Sequence, residues 1–228
     1  MLNKSWITNI EVHSEEWYEG RLARFTASEF YRFMGEKPFT IGAISYIYDK
    51  VGEEATGMPQ RDDIKSEATN WGLENENANL QRFMQERGVK FLVTQKLIAE
   101  PKSRFGCTPD ALITVRESTD KTAYEVETVE AKCNITYNKF IKLALCETPA
   151  DVKKAEPIYY HQVLFQMDMC GALKGYLSLF HPLFRFGGFK VIEFKKVELY
   201  EDFKLLTQRK KMAEEKYIEV REKLIALK

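Results

Sequence analysis

The residues of this chain best suited to chemistry lie between Gly106 and Cys133, where Pro109-Asp110 opens one β-rich run and Glu130-Ala131-Lys132 closes another. Ala111-Leu112-Ile113-Thr114-Val115 is bounded by Pro109 and by the polar Glu117-Ser118-Thr119-Asp120-Lys121, the pattern of a strand followed by a turn. A second strand is expected over Ala123 to Cys133. Side chains alternate along a strand, so Glu130 and Lys132 share one face while Val129, Ala131 and Cys133 share the other. Hard cations such as Mg²⁺ take carboxylate and carbonyl oxygens. Asp110, Glu130 and the backbone carbonyl of Ala131 are therefore candidate ligands for Mg²⁺. Lys132 is then free to orient or deprotonate a water attacking a phosphodiester. The tripeptide alone says little, because Glu-x-Lys recurs at Glu100/Lys102, Glu193/Lys195 and Glu214/Lys216, whereas Pro-Asp occurs only at Pro109-Asp110. A surface hairpin carrying a Glu/Lys pair is the alternative reading of the same residues.

Other elements must position this hairpin. Near the N-terminus, Trp17 to Leu22 leads into Phe25-Thr26-Ala27-Ser28-Glu29-Phe30. Thr26 and Glu29 have the spacing of a capping box at a helix start, and Phe25 and Phe30 that of a hydrophobic staple. Free amides there, the hydroxyls of Thr26 and Ser28, and nearby Arg21 would make an anion pocket. A helix is expected from Ile41 to Lys50, capped by Thr40 and stopped near Gly52. The polar stretch from Glu53 to Asn70, which includes Gly57, Pro59 and Arg61-Asp62-Asp63, reads as a long loop or flap. Trp71 to Arg87, ended by Gly88, reads as a helix with Leu73, Leu80 and Phe83 in an apolar stripe and Glu76 within it. A carboxylate buried there calls for a cation or a basic partner, whereas a slight rotation of the helix would leave it on the rim. Val89 to Ala99 suggests one or two strands, and Tyr137 to Cys146 a helix with Lys139 and Lys142 outward. The run from Ile158 to about Leu173, opened by Pro157, is apolar nearly all round and should be a buried helix. Gln162 and Gln166 form its one polar stripe, and buried amides need partners. Strands over Gly175 to Phe180 and Phe189 to Leu199 and a helix from Glu201 to Leu227 complete the chain.

With 228 residues, 44% hydrophobic, the chain is expected to form one α/β domain. Its central part would span about 71–199, between an N-terminal helical part, 1–70, and the C-terminal helix, 200–228. Lys plus Arg and Asp plus Glu are equal at 34 each. No global positive field advertises a nucleic-acid partner, so any such binding must come from local charge. Cys107, Cys133, Cys146 and Cys170 form no C-x-x-C pair, which argues against zinc and against a disulfide framework. With no signal peptide and no spanning apolar run, the expectation is a cytoplasmic protein with no membrane association.

Several of these features occur together in an order that resembles the lambda-exonuclease or YqaJ-type branch of the PD-(D/E)XK nuclease superfamily, over roughly Trp17 to Phe194. Trp17, Arg21 and Thr26-Ala27-Ser28-Glu29 match a W...R...TAS motif, and Trp71-Gly72 with Glu76-Asn77-Ala78 resembles WG...EN. Thr108-Pro109-Asp110 stands for SPDG, Glu130-Ala131-Lys132-Cys133 for E-x-K-C, and Tyr159-x-x-Gln162-Val163 for Y-x-x-Q-V. Three positions depart: Thr108 replaces the serine, Ala111 the glycine after the Pro-Asp, and Asn134 the proline after the cysteine. The resemblance implies a restriction-endonuclease-like core, a central mixed β-sheet flanked by helices. It also implies a Mg²⁺-dependent 5′-to-3′ exonuclease on double-stranded DNA ends, with Mn²⁺ as a substitute. Asp110 and Glu130 would bind the metal with Glu76 assisting, Lys132 would serve the water and Gln162 would support the site. Arg21, Thr26, Ser28 and Thr108 would hold the 5′-phosphate. Further implications are a homotrimeric ring, a single-strand annealing protein as partner, and a phage or prophage origin in a bacterial host. Two alternatives stand beside it. One is another nuclease of the superfamily, an endonuclease or a single-strand exonuclease. The other is a silent DNA-end-binding module, against which intact Asp110, Glu130 and Lys132 argue.

Overall fold

The computed structural model describes residues 1–59 and 66–227. In chain order its elements begin with β1 (Leu2–Asn3), α1 (Glu15–Arg21), β2 (Phe25–Thr26), α2 (Ile41–Thr56), α3 (Glu67–Arg87), β3 (Phe91–Thr94) and β4 (Phe105–Gly106). They continue with β5 (Ala111–Glu117), β6 (Ala123–Lys132), α4 (Tyr137–Ala144), α5 (Pro149–Ala155), α6 (Pro157–Met169), β7 (Lys174–Phe180), β8 (Phe189–Lys195) and α7 (Tyr200–Ile225). A six-stranded mixed sheet has the order β3-β5-β6-β7-β8, with β1 pairing the start of β6. The expected hairpin is β5–β6, antiparallel, with Ala111 opposite Val129. β6 and β7 run parallel, Glu130 beside Leu177. Parallel neighbours need a long crossover, and α4, α5 and α6 supply it.

Alternation along β6 decides which helix covers which side chain. Val129 and Ala131 join Leu80 and Phe83 of α3, with Ala111, Ile113 and Tyr176, in one apolar layer. Val126 faces the other way into the larger core, where α6 contributes Tyr160, Val163, Leu164, Phe165 and Met167. Phe165 is fully buried, 4.8 Å ring to ring from Phe30 and 6.2 Å from Phe105. It thereby ties the N-terminal segment to the sheet-covering helix.

Several expected boundaries move. Thr40 does cap α2, accepting from the Ala43 amide, but the helix runs on to Thr56 and ends at Gly57 with φ +67°. α3 begins at Glu67 with Ser66 as cap. Both ends of the expected 53–70 loop are thus helical, and its middle, residues 60–65 with Arg61-Asp62-Asp63, lies outside the described residues. Leu73, placed in the apolar stripe by periodicity, is 50% exposed, because α3 packs on the sheet only through its C-terminal half. α6 stops at Met169, short of Leu173, where Gly171 turns the chain with φ +59°. β8 ends at Lys195, and α7 begins at Tyr200.

The capping box expected at Thr26 does not form. Phe25–Thr26 is a strand paired parallel with Phe105–Gly106, and the following 3₁₀ turn, Phe30–Phe33, has no side-chain cap. Phe25 and Phe30 are both fully buried; their shared core settles the local conformation where the sequence pattern suggested a helix. Glu29 instead binds the Arg32 guanidinium at 2.7 Å.

Phe165→Ala should cost about 3–5 kcal/mol, the range for emptying a buried phenylalanine site. In a chain of this size that lowers Tm by roughly 6 to 20 °C in a thermal melt, and an unchanged Tm would show that α6 does not join the two halves of the core.

Candidate active site

Glu130 is 2% exposed although charged, so it requires compensation. Gln162 Nε2 donates to its Oε1 at 2.5 Å and Gln166 Nε2 to its Oε2 at 2.5 Å. The polar stripe of α6 is accordingly a clamp on one carboxylate. Lys132 Nζ, two residues on along the same face of β6, is 2.5 Å from Glu130 Oε1. Burial alone would lower the Lys132 pKa, but Glu130 and Asp110 outweigh it and the net shift is upward. Lys132 is a firmly held cation in this arrangement.

Asp110 ends the segment before β5, and its Oδ2 accepts from the Ala131 amide at 2.6 Å. The two strands of the hairpin thus fix the distance between Asp110 and the Glu-x-Lys residues. Desolvation first, then the charges of Glu130 and Glu76, push the Asp110 pKa well above the carboxylate range. Glu76 is also raised, by burial and by Glu130, against a lowering hydrogen bond from Gln95. Gln95 Nε2 donates to Glu76 Oε1 at 2.5 Å. Its backbone is left-handed, φ +49°, and its amide is tied to the Asp110 carbonyl at 3.1 Å, a costly conformation for a non-glycine residue. α3 is pinned one turn after Glu76 by fully buried Asn79, whose Nδ2 donates to the Ser178 carbonyl at 3.0 Å while its Oδ1 accepts from Ser178 Oγ at 2.6 Å. Neither Gln95 nor Asn79 stood out in the sequence; only the Asn in Glu76-Asn77-Ala78-Asn79 at helical spacing hinted at a polar contact on the sheet side.

Two cavities meet at Glu76 and Asp110. The first, about 200 Å³, is lined by Arg21, Thr26, Ser28, Thr108 and Gln162, so all four expected phosphate-pocket residues open on one space. Thr26 is partly committed: its amide donates to Tyr46 Oη at 3.1 Å and its hydroxyl lies 3.2 Å from the same oxygen. That leaves Arg21, Ser28 and Thr108 as the polar groups best able to meet an anion. The Arg21 guanidinium sits 4.0 Å over the Trp17 ring, and burial lowers its pKa. The second cavity, about 530 Å³, is lined by Ala131, Lys132, Asn134, Lys139 and Tyr159.

Among the described residues no three His, Cys, Asp or Glu side chains form a ready-made metal cage. Mg²⁺ is commonly held through one or two carboxylates with water and substrate phosphate completing its shell. Asp110, with its raised pKa, and Glu76 offer oxygens of that kind, and Ala131 lines the adjoining cavity. Glu130 accepts from three donors, Gln162 and Lys132 on Oε1 and Gln166 on Oε2, which leaves a lone pair of Oε2 for a further partner.

An alkaline exonuclease from Laribacter hongkongensis is similar in structure, with TM-score 0.69 and 20% identity over 94% of this chain and 100% of that one. The same protein in complex with dAMP gives 0.68 and 21% over the same shares. A phage related exonuclease from Haemophilus somnus 129PT gives 0.61 and 12% over 88% of this chain and 96% of that one. No curated protein matches the sequence significantly. The fold is the mixed-sheet nuclease fold of the alkaline exonucleases. Residues 16–172 match the profile of the YqaJ-like viral recombinase domain, and the chain belongs to that family.

Replacing Asp110 by Asn keeps an acceptor for the Ala131 amide and removes one of the crowded charges. A raised folded-state pKa means that the metal-free fold loses stability as pH rises from ~3.9 toward the raised value. Asp110→Asn should therefore melt a few degrees above the wild type without metal, with a gap that widens as pH rises above ~4 and then levels off. Nuclease activity should fall at least ~10²-fold. A variant that melts below the wild type at neutral pH would contradict the crowding.

Proposed function

We propose that the chain is a DNA exonuclease that removes nucleotides from the 5′ end of duplex DNA and leaves 3′ single-stranded overhangs. The observation that carries this reading is the joining of two cavities at Asp110 and Glu76, one ending in Arg21, Ser28 and Thr108. A pocket closed by a guanidinium and two hydroxyls suits a terminal phosphate, and a phosphodiester one nucleotide further along would lie at the carboxylates. Mg²⁺ or Mn²⁺ bound by Asp110 and Glu76, with Ala131 and Glu130 as further donors, would polarise the phosphoryl oxygens and acidify a water. Lys132 holds its charge beside Glu130, close to where the attacking water must stand. Gln162 and Gln166 keep Glu130 from turning away. Trp17 keeps Arg21 directed into the end pocket. The name of the structural relative solved with dAMP fits a nucleotide-sized product, and the recombinase description of the family fits delivery of the overhang to a single-strand annealing protein.

A neutral chain gains little non-specific affinity from charge, since that affinity comes from neutralised phosphates. A closed homotrimeric ring around the duplex would retain the DNA topologically. Two regions are candidates for its interface, Tyr176 to Phe189 and Glu53 to Asn70; the first begins in β7, where Tyr176, Leu177 and Leu179 are buried. The connection after it, with Leu183 64% and Phe186 88% exposed, is free to meet a neighbour.

Purified protein should shorten linear duplex DNA with Mg²⁺, stop with EDTA, and release 5′-mononucleotides. A 5′-phosphorylated end should be cut faster than a 5′-hydroxyl end, and Arg21→Ala should remove most of that preference, ~10- to 100-fold for one charge-assisted hydrogen bond. Equal cutting of both ends by the wild type would sink the pocket assignment. Light scattering should give a mass near three times 26.6 kDa, and a monomer that releases long DNA after each few nucleotides would refute the ring.

A further inference from the structure

The second cavity contains a buried donor that the reading so far leaves unused. Asn134 follows the Glu130-Ala131-Lys132-Cys133 motif and is 8% exposed. Tyr159 Oη donates to its Oδ1 at 2.9 Å, and among the described residues its Nδ2 has no partner. Buried amide nitrogens are nearly always bonded, so an unpaired donor on a residue that lines a cavity points to an acceptor that arrives with a ligand.

The surroundings specify the charge of that acceptor. α4 begins just beyond, and its cap Thr136 makes no side-chain bond to the first turn. The first amides of a helix lack acceptors within it and favour an anion. Thr136 and Lys139 line the same cavity. The Lys139 ammonium lies 4.4 Å over the Tyr159 ring and 3.0 Å from Glu156, and Lys132 lies 5.0 Å from the same ring. Lys132 is paired with Glu130 and Lys139 with Glu156, and Glu76 and Asp110 line the same cavity, so it is the unpartnered amide and the uncapped helix start that favour a phosphate oxygen over a base edge or an apolar group.

We propose that this cavity is a phosphodiester subsite in which Asn134 Nδ2 and the first amides of α4 bind the linkage that follows the scissile one on the same strand. The placement follows from the two cavities meeting at Asp110: a strand whose terminal phosphate is at Arg21 and whose scissile phosphate is at Asp110 must continue past Lys132. A proline at position 134 could supply no such donor, so the subsite is a property of this sequence. The inference rests on the nuclease reading, and its test separates the two.

Binding is measured by fluorescence anisotropy with Ca²⁺ in place of Mg²⁺, using 5′-phosphorylated duplex that is unmodified or carries one neutral methylphosphonate at the second linkage from the 5′ end. The wild type should bind the modified DNA ~10-fold more weakly. Asn134→Asp keeps the acceptor for Tyr159 and removes the donor; it should bind unmodified DNA ~10-fold more weakly than the wild type and lose most of its discrimination between the two duplexes. Equal wild-type affinity for both duplexes, or full discrimination by a folded Asn134→Asp protein, would overturn the subsite. The wild-type comparison stands even if the variant fails to fold. Mononucleotide release from unmodified duplex with Mg²⁺ is scored separately: its absence would refute the nuclease reading, whereas release with no sensitivity to the second linkage would refute the subsite alone.

Discussion

The structure depends on keeping Glu130 ionised at 2% exposure beside two other carboxylates. That constraint explains why α6 carries two glutamines on an otherwise apolar surface and why Lys132 sits on the same strand face. It also explains the rigidity behind Glu76, where Asn79 and Ser178 lock α3 to β7. Glutamine suits the clamp because its amide donates without adding charge, so the pocket stays net negative and receptive to a cation. Removing the Gln166 amide would leave Oε2 desolvated without a donor, which costs more than the hydrogen bond contributes in the intact fold, whereas Oε1 would keep Lys132 if Gln162 were lost.

The hairpin was legible in the sequence because its signals are local. A period of two, one Pro-Asp and a polar turn specify β5 and β6, and alternation alone placed Glu130 and Lys132 opposite Val129 and Ala131. The buried helix with Gln162 and Gln166 was legible for a similar reason, since an unbroken apolar run leaves its polar positions conspicuous. Contacts between distant segments were not. Thr26 and Glu29 carry a genuine capping-box spacing, yet the parallel pairing of Phe25 with Phe105, 80 positions away, overrides it. Leu73 fits the stripe of α3 by periodicity, but periodicity does not say how much of a helix meets the sheet. α5 went unnoticed although Thr148-Pro149-Ala150-Asp151 is a complete capping box with proline in the first turn; at 7 residues it lacks the length that makes an apolar period visible. Gln95 could be found only from its backbone, whose left-handed turn no sequence pattern announced.

The electrostatics of the site are those of a group of charges waiting for a counter-charge. Asp110 and Glu76 are both shifted toward the neutral form by burial and by the charge of Glu130, while Lys132 is shifted toward the charged form. The opposed shifts separate the roles: a carboxylate pair that gains by meeting a cation, and an ammonium that stays protonated. Lys132 in this state is an ammonium beside Glu130, suited to orienting a water or meeting negative charge on a phosphate.

The parallel pairing of β6 with β7 has a consequence for how the chain acquires this site. Antiparallel β5 and β6 close through a short turn and can form as soon as both are available, whereas β7 can join β6 only after the whole crossover through α4, α5 and α6 has been placed, and such non-local pairings form slowly. Gln162 and Gln166 arrive with that crossover. During synthesis or refolding, therefore, the hairpin bearing Asp110, Glu130 and Lys132 exists first without its clamp, its acidic and basic groups solvated and free to turn. The side chains of the hairpin take up the arrangement seen in the finished fold only when that last layer closes.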